Sequence, residues 1–221
     1  MPAGGGRLVT LAQPAPGGDL PAGTFQALWA AVLIKDFGSA KQRLSPALDP
    51  RSRRRLAEEN ARLALAAAGA LPRLLAVCGS AESARLARTS GAQVVLEDEP
   101  RGQNAAAQRA IEYCRDRGAD AILLISSDLP LVRSEDLRRL VSAASPLPRP
   151  LAVAVPAAGR GGTNALLLAP ADCLELRFGD DSLAKFEREA RERRVGFHLF
   201  ESPRLALDLD EPADLEALAA R

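Results

Sequence analysis

The sequence predicts an α/β fold, with one mostly parallel central sheet and helices on both faces. Three observations carry this. Short apolar runs of strand length alternate with longer segments of helical period from residue 29 to the end of the chain. Residues that start and stop helices stand between them at short spacing. No segment repeats another, so no repeat architecture competes with this reading. Strands and helices in this order build parallel sheets covered on both sides, and such sheets bind ligands beyond the carboxyl ends of their strands. The length of 221 residues suits one domain over 28–221, behind a leader at 1–27. Gly and Pro dominate that leader and periodicity is absent, so a flexible or extended segment is expected.

The elements follow in order. "WAAVLI" (29–34) is an apolar strand, followed by the polar loop "KDFGSAKQRLSPALDP". A helix starts near Ser52 and runs through "LAEENARLALAAAG". "RLLAVCG" is the second strand, and "SAESARLARTSG" a short helix capped by Ser80 and stopped by Gly91. "AQVVLE" is a strand, and "NAAAQRAIEYCRDRG" a helix that ends at Gly118. "DAILLIS" is a strand that runs into a turn at Asp128-Leu129-Pro130, and "SEDLRRLVSAA" is a helix capped by Ser134. "PLAVAVP" and "NALLLAP" are strands on either side of the Gly-rich "AAGRGGT". "DSLAKFEREARERR" is a helix and "VGFHLF" a strand. In "RLALDLD" the strict alternation of Leu205, Leu207 and Leu209 with Ala206, Asp208 and Asp210 predicts a last strand before the terminal helix.

Composition narrows the function. The net charge of +1 excludes a polybasic nucleic-acid binder, and no apolar run is long enough to span a membrane. The start of the chain lacks a signal-peptide layout, so a cytoplasmic protein is expected. Cys78, Cys114 and Cys173 fall in no Cys-x-x-Cys spacing and read as free thiols rather than a zinc site. His198 is the sole histidine and sits in a strand-like run, so chemistry that needs an imidazole base is poorly supported.

The unusual residues collect just past strand ends. Lys35, Lys41 and Arg43 follow the first strand, and cations of this kind suit phosphates. Asp128 closes an apolar strand, and Asp208 and Asp210 would share one strand face about 7 Å apart. Two readings of the acids stand open: ligands for a hard cation such as Mg²⁺, or turn and helix-cap residues, with Asp210 ahead of Pro212. "GRGGTN" offers unobstructed backbone N–H groups and the Thr163 hydroxyl, and "FGDDS" sets Gly179 and Ser182 at a helix start, where anions bind. A hairpin turn and a plain Ser cap are the simpler alternatives. Together these features fit phosphoryl or nucleotidyl transfer, in which catalysis is largely positioning and charge neutralisation.

The segments "AVLIKDFGSAKQRLSPAL", "ISSDLPLV", "GRGGTNALLL", "FGDDS" and "LALDLDEPADL" resemble, in order, the motifs of the phospholactate guanylyltransferase family. The resemblance covers residues 29–221 and implies a GT-A-like nucleotidyltransferase fold. It implies transfer of GMP from GTP to the phosphate of a three-carbon acid, phosphoenolpyruvate or 2-phospho-L-lactate, with release of pyrophosphate, in coenzyme F-420 biosynthesis. By position it implies metal ligation by Asp128, Asp208 and Asp210, with Mg²⁺ as cofactor. Thr163, Gly179 and Ser182 would hold the acid. Lys35, Lys41 and Arg43 would serve catalysis and the triphosphate, and Gly102 and Asn104 would meet guanine or ribose. Two positions depart from the family pattern: Asp181 stands where a small residue is usual, and Phe186 where a histidine often occurs. The partners implied are GTP and a phospho-acid, with no nucleic acid or membrane, and with handover to the next transferase of the pathway. Monomer and homodimer both stay open. Other acceptors such as 3-phosphoglycerate or a sugar phosphate, another nucleotide, or binding without turnover are the alternatives.

Overall fold

The computed structural model describes residues 9–14 and 25–220. Eight strands form one sheet in the order β1-β8-β6-β7-β5-β2-β3-β4. They are β1 (Val9–Thr10), β2 (Leu28–Ile34), β3 (Leu74–Cys78), β4 (Gln93–Leu96), β5 (Ala121–Ser126), β6 (Leu151–Pro156), β7 (Thr163–Ala169) and β8 (Gly196–Leu199). The helices are α1 (Pro50–Ala68), α2 (Ala81–Thr89), α3 (Gln103–Arg115), α4 (Ser134–Ala144), α5 (Ser182–Arg193) and α6 (Pro212–Ala219). Every pairing is parallel except those of β7, which runs antiparallel to both β5 and β6. The short Gly-rich connection after β6 forces this reversal, because a parallel return needs a crossover of a dozen residues or more.

The centre of the sheet is built from the most apolar runs. All of β2 is buried, and its side chains alternate between the two layers. Ala30, Val32 and Ile34 join α1, α2 and α4 on one face, while Trp29, Ala31 and Leu33 join α3 and α5 on the other. Burial on both faces explains why these strands read as continuous apolar runs.

Four local readings change. The first long helix begins at Pro50, because Asp49 accepts hydrogen bonds from Arg51 N (2.8 Å) and Ser52 N (3.0 Å) and caps it. Ser134 is the first residue of α4 rather than its cap; Arg133 precedes it, and Asp136 accepts from Arg133 N at 3.2 Å. Part of the leader is structured: Val9–Thr10 pairs in parallel with His198–Leu199 at the sheet edge. The rest of the predicted leader, 1–8 and 15–24, lies outside the described residues.

The fourth change concerns the predicted last strand. Residues 205–210 join no ladder: Leu205 lies in a turn, Ala206 in a bend, and 207–210 have no regular structure. Leu205, Leu207 and Leu209 are buried while Ala206, Asp208 and Asp210 are half-buried, so the alternation marks burial alone. The segment is tied down by side chains and loop ends. Arg204 grips Asp136 through Nε (2.8 Å) and a terminal nitrogen (2.7 Å). Asn164 Nδ2 donates to Leu205 O (2.9 Å) and Ala206 O (3.1 Å), Ala158 N to Ala206 O, and Leu209 N to Asp128 O. Those bonds satisfy the backbone in place of a neighbouring strand. They lay the segment across the carboxyl end of the sheet.

Candidate active site

The carboxyl ends of β2, β3, β4, β5 and β6, the amino end of β7 and the segment 205–210 enclose a cleft of two adjoining lobes. One, of 260 Å³, is lined by Lys35, Gly79, Glu97, Pro100, Gly102 and Gln103 among others. The other, of 380 Å³, is lined by Arg43, Arg160, Thr163, Gly179, Ser182 and Asp208 among others. Lys35, Lys41, Asp128 and Asp210 line both and mark the junction. Folding thus brings residues from seven separate sequence segments to one place.

Lys41 organises the junction. It adopts a left-handed backbone conformation (φ 60°), and its Nζ donates to Asp128 Oδ2 at 3.1 Å and to Leu209 O at 2.6 Å. Ser126 Oγ donates to the other oxygen of Asp128. Burial alone would push Asp128 up, but the Lys41 charge, the Ser126 hydroxyl and the Lys35 charge together hold its carboxyl below the ordinary value. Lys41 therefore clamps the end of β5 to the crossing segment. Lys35 faces both lobes. Arg43, mostly exposed, pairs with Asp210 at 2.9 Å.

Asp208 behaves in the opposite way. Burial and then the negative charge of Asp128 push its carboxyl above the ordinary value, and Arg160 and Asn164 offset this only in part. Arg160 bridges Asp208 (2.9 Å) and Asp214 (2.8 Å). Asp214 in turn accepts from the N–H groups of Asp210 (2.8 Å) and Glu211 (2.7 Å), so it, rather than Asp210, ties down the start of α6.

The predicted three-aspartate metal set is altered by these pairs. Among the described residues no three carboxylate, thiol or imidazole groups converge closely enough to hold an ion by themselves. Asp128 and Asp208 are near enough for one charge to raise the other's pKa, whereas Asp210 is turned to Arg43. Two carboxylates facing a cleft fit Mg²⁺, which takes one or two such ligands and completes its shell with water and substrate phosphate.

The predicted acid-binding residues do meet. Ser182 Oγ donates to Thr163 Oγ1 at 3.0 Å, and both side chains are buried. Ser182 N donates to Gly179 O, and Gly179 takes φ 116°, a conformation open to glycine. Asp181 is exposed and does not line the lobe; Asp180 does. Phe186 lies fully buried, edge-on to Phe178 with ring centres 5.2 Å apart, so it is a core residue.

Of the two residues expected at the base, Gly102 (φ 90°) lines the smaller lobe. Asn104, the other, lines neither lobe; its amide donates to Phe178 O (3.1 Å) and accepts from Phe178 N (2.7 Å). Those two bonds fix the loop before Gly179. Sequence reasoning missed Arg160, Asn164 and Glu97 as site residues. The first two stand inside "GRGGTN", where the glycines drew attention, and only the folded position of Asp208 gives them a role.

None of the three thiols lines either lobe. Burial pushes Cys78 up to about 11, Cys114 to about 12 and Cys173 to about 11. No helix among the described residues is long and apolar enough to cross a membrane.

Comparison with known proteins gives this cleft its context. A nucleotidyl transferase from Methanothermobacter thermautotrophicus superimposes with a TM-score of 0.63 at 18% identity, over 87% of this chain and 96% of that one. The nucleotidyltransferase fold of GT-A-like type is thereby established. A phosphoenolpyruvate guanylyltransferase from Rubrobacter xylanophilus is 37% identical over 199 residues, covering 87% of this chain and 94% of its own. A 2-phospho-L-lactate guanylyltransferase from Methanothermobacter thermautotrophicus is 33% identical, over 84% of this chain and 81% of its own. The profile described as "Guanylyl transferase CofC like" matches residues 29–220, the whole span that builds the cleft. The chain belongs to the CofC-like guanylyl transferase family.

Proposed function

We propose that this enzyme transfers GMP from GTP to the phosphate of phosphoenolpyruvate or 2-phospho-L-lactate and releases pyrophosphate. The observation that carries the reading is the junction of the two lobes. A phosphate-sized anion at Thr163 and Ser182 and a nucleotide in the smaller lobe meet there, beside Asp128, Asp208 and Lys35.

The acid's phosphate oxygen attacks the α-phosphorus, a new P–O bond forms, and the bond to the β-phosphate breaks. The nucleophile is already ionised, so no general base is required, in keeping with the absence of histidine from the cleft. Thr163 and Ser182 orient the acid, while Gly179 lets backbone approach it. Lys35 and Arg43 neutralise the triphosphate, and Lys41 keeps Asp128 ionised. Mg²⁺ would be held by Asp128 and Asp208 and would offset the repulsion between the two anions. At an effective dielectric of 20 that repulsion is about 4 kcal/mol for unit charges 4 Å apart. The anhydride product suits direct handover to the enzyme that consumes it.

The test is pyrophosphate release with GTP and Mg²⁺, offering phosphoenolpyruvate, 2-phospho-L-lactate and 3-phosphoglycerate in turn, with ATP and CTP as controls. Release with GTP and either of the first two acids is expected. Release only with 3-phosphoglycerate or only with another nucleotide would overturn the assignment.

A further inference from the structure

The smaller lobe holds a carboxylate with a buried oxygen that no hydrogen bond uses among the described residues. Glu97 follows β4 directly, and its backbone N–H extends the sheet by donating to Cys78 O at 2.9 Å. Its side chain is 7% exposed, and Oε1 is buried without a hydrogen-bond partner. The Arg109 charge acts on it, but no hydrogen bond joins the two among the described residues. Asp36, the other carboxylate confined to this lobe, is spent on Ser39 N at 2.9 Å. A buried acceptor without a donor is costly and rare.

The surroundings are those of a flat ligand's slot. Gly79 has no room for a side chain: a Cβ there would lie 3.1 Å from Asp36 N and 3.5 Å from Pro100 Cγ. Gly102 and Ala106, with little or no side chain, line the same lobe. A planar ring in this lobe can bring its polar edge to Glu97, which lines this lobe alone, whereas Asp128 lines both.

We propose that Glu97 selects guanine, its carboxylate accepting from the ring N1–H and the exocyclic N2 amino group. The chemistry of the bases decides this. Guanine presents two donors side by side on that edge, matching two carboxylate oxygens. Adenine and cytosine each present a donor beside an acceptor, which would face a carboxylate oxygen with no hydrogen between. Burial pushes Glu97 above the ordinary carboxylate range, with Arg109 offsetting part of this, which is the state a donor-rich ligand would relieve. The assignment rests on the reading that a nucleoside triphosphate occupies the cleft.

The experiment compares GTP with inosine triphosphate, which keeps N1–H and lacks the 2-amino group. Wild type, Glu97→Gln and Glu97→Ala are assayed for pyrophosphate release and for nucleotide affinity by calorimetry, and the nucleotide-free proteins are melted. Wild type should prefer GTP over inosine triphosphate by about 10- to 150-fold, the effect of one hydrogen bond to a charged group. Both variants should bring that ratio towards one, with KM for GTP rising more than kcat falls. Their melting temperatures should not drop, since Oε1 of the carboxylate has no hydrogen-bond partner among the described residues. Variants that keep the wild-type ratio overturn the assignment and leave the transferase reading standing. A lowered melting temperature with an unchanged ratio overturns it in favour of a structural role. A wild type that turns over no nucleotide overturns the transferase reading itself.

Discussion

Replacing Lys41 by Met should unsettle the junction more than any other single change. Nζ sits 3.1 Å from Asp128 Oδ2, with the two side chains 6% and 24% exposed. Breaking a buried ion pair leaves an uncompensated charge and costs roughly 3–5 kcal/mol. Asp128 is a quarter exposed and can take up a proton, so the lower end, about 3 kcal/mol, is expected. For a chain of this size each kcal/mol shifts Tm by about 2–4 °C, so Tm should fall by roughly 6–12 °C. Thermal unfolding followed by circular dichroism at pH 7 measures this. Asp128→Asn and the double variant complete a cycle, and the double variant should be less destabilised than the sum of the singles. The pH dependence has a definite sign. Asp128 is held below its unfolded value in the wild type, so its contribution is present above about pH 4 and lost as pH falls through the folded pKa. Without Lys41 that pKa rises and Asp128 ionisation becomes destabilising, so the gap between variant and wild type should narrow on acidification. A Tm change under about 2 °C at pH 7, or additive singles, would refute the clamp.

Other outcomes follow from the same geometry. Asp208→Ala should cut pyrophosphate release by about 100-fold or more while moving Tm little, because Arg160 keeps Asp214 and a strained carboxylate is removed. A steady-state assay beside a melt separates the two effects. Chelation by EDTA should abolish turnover and leave the far-ultraviolet dichroism unchanged, with activity returning on Mg²⁺ addition. Ser182→Ala breaks the 3.0 Å hydrogen bond to Thr163 and should cost about 1 kcal/mol of stability in denaturant titration, with KM for the acid rising more than kcat falls. Gly161→Ala combines φ 62° with a Cβ only 3.0 Å from Asp181 Oδ1, and should cost about 1–2 kcal/mol. Gly159→Ala, at φ 75° with open space around it, supplies the comparison without that contact.

Much of the fold could be read from the chain because local rules and burial agreed. The runs that became β2, β3 and β5 are apolar on both faces, and caps such as Ser80 did what capping residues do, with Ser80 Oγ accepting from Ser83 N. The segment 205–210 shows where such reading fails. Alternation reports which side chains are buried, and a chain lying across a sheet end buries alternate residues just as a strand does. Only partners distant in sequence show that no ladder forms: Asn164 and Lys41 on the segment itself, and Asp136 on Arg204 just before it.

For the site, the sequence by itself determined the chemical inventory: Asp128, Asp208, Asp210, Thr163, Gly179, Ser182 and the basic loop, each just past a strand or at a helix start. It could place them on one edge because parallel strands end on one side. Tertiary structure decided how they are used. It bound Lys41 to Asp128, joined Arg160 to Asp208, tied Asn104 to Phe178, and left Glu97 Oε1 without a hydrogen-bond partner among the described residues. Those assignments depend on distances of about 3 Å between residues far apart in the chain, and hydrogen bonds weaken steeply outside such geometry. Local periodicity carries no information at that scale, whereas the packed sheet fixes it.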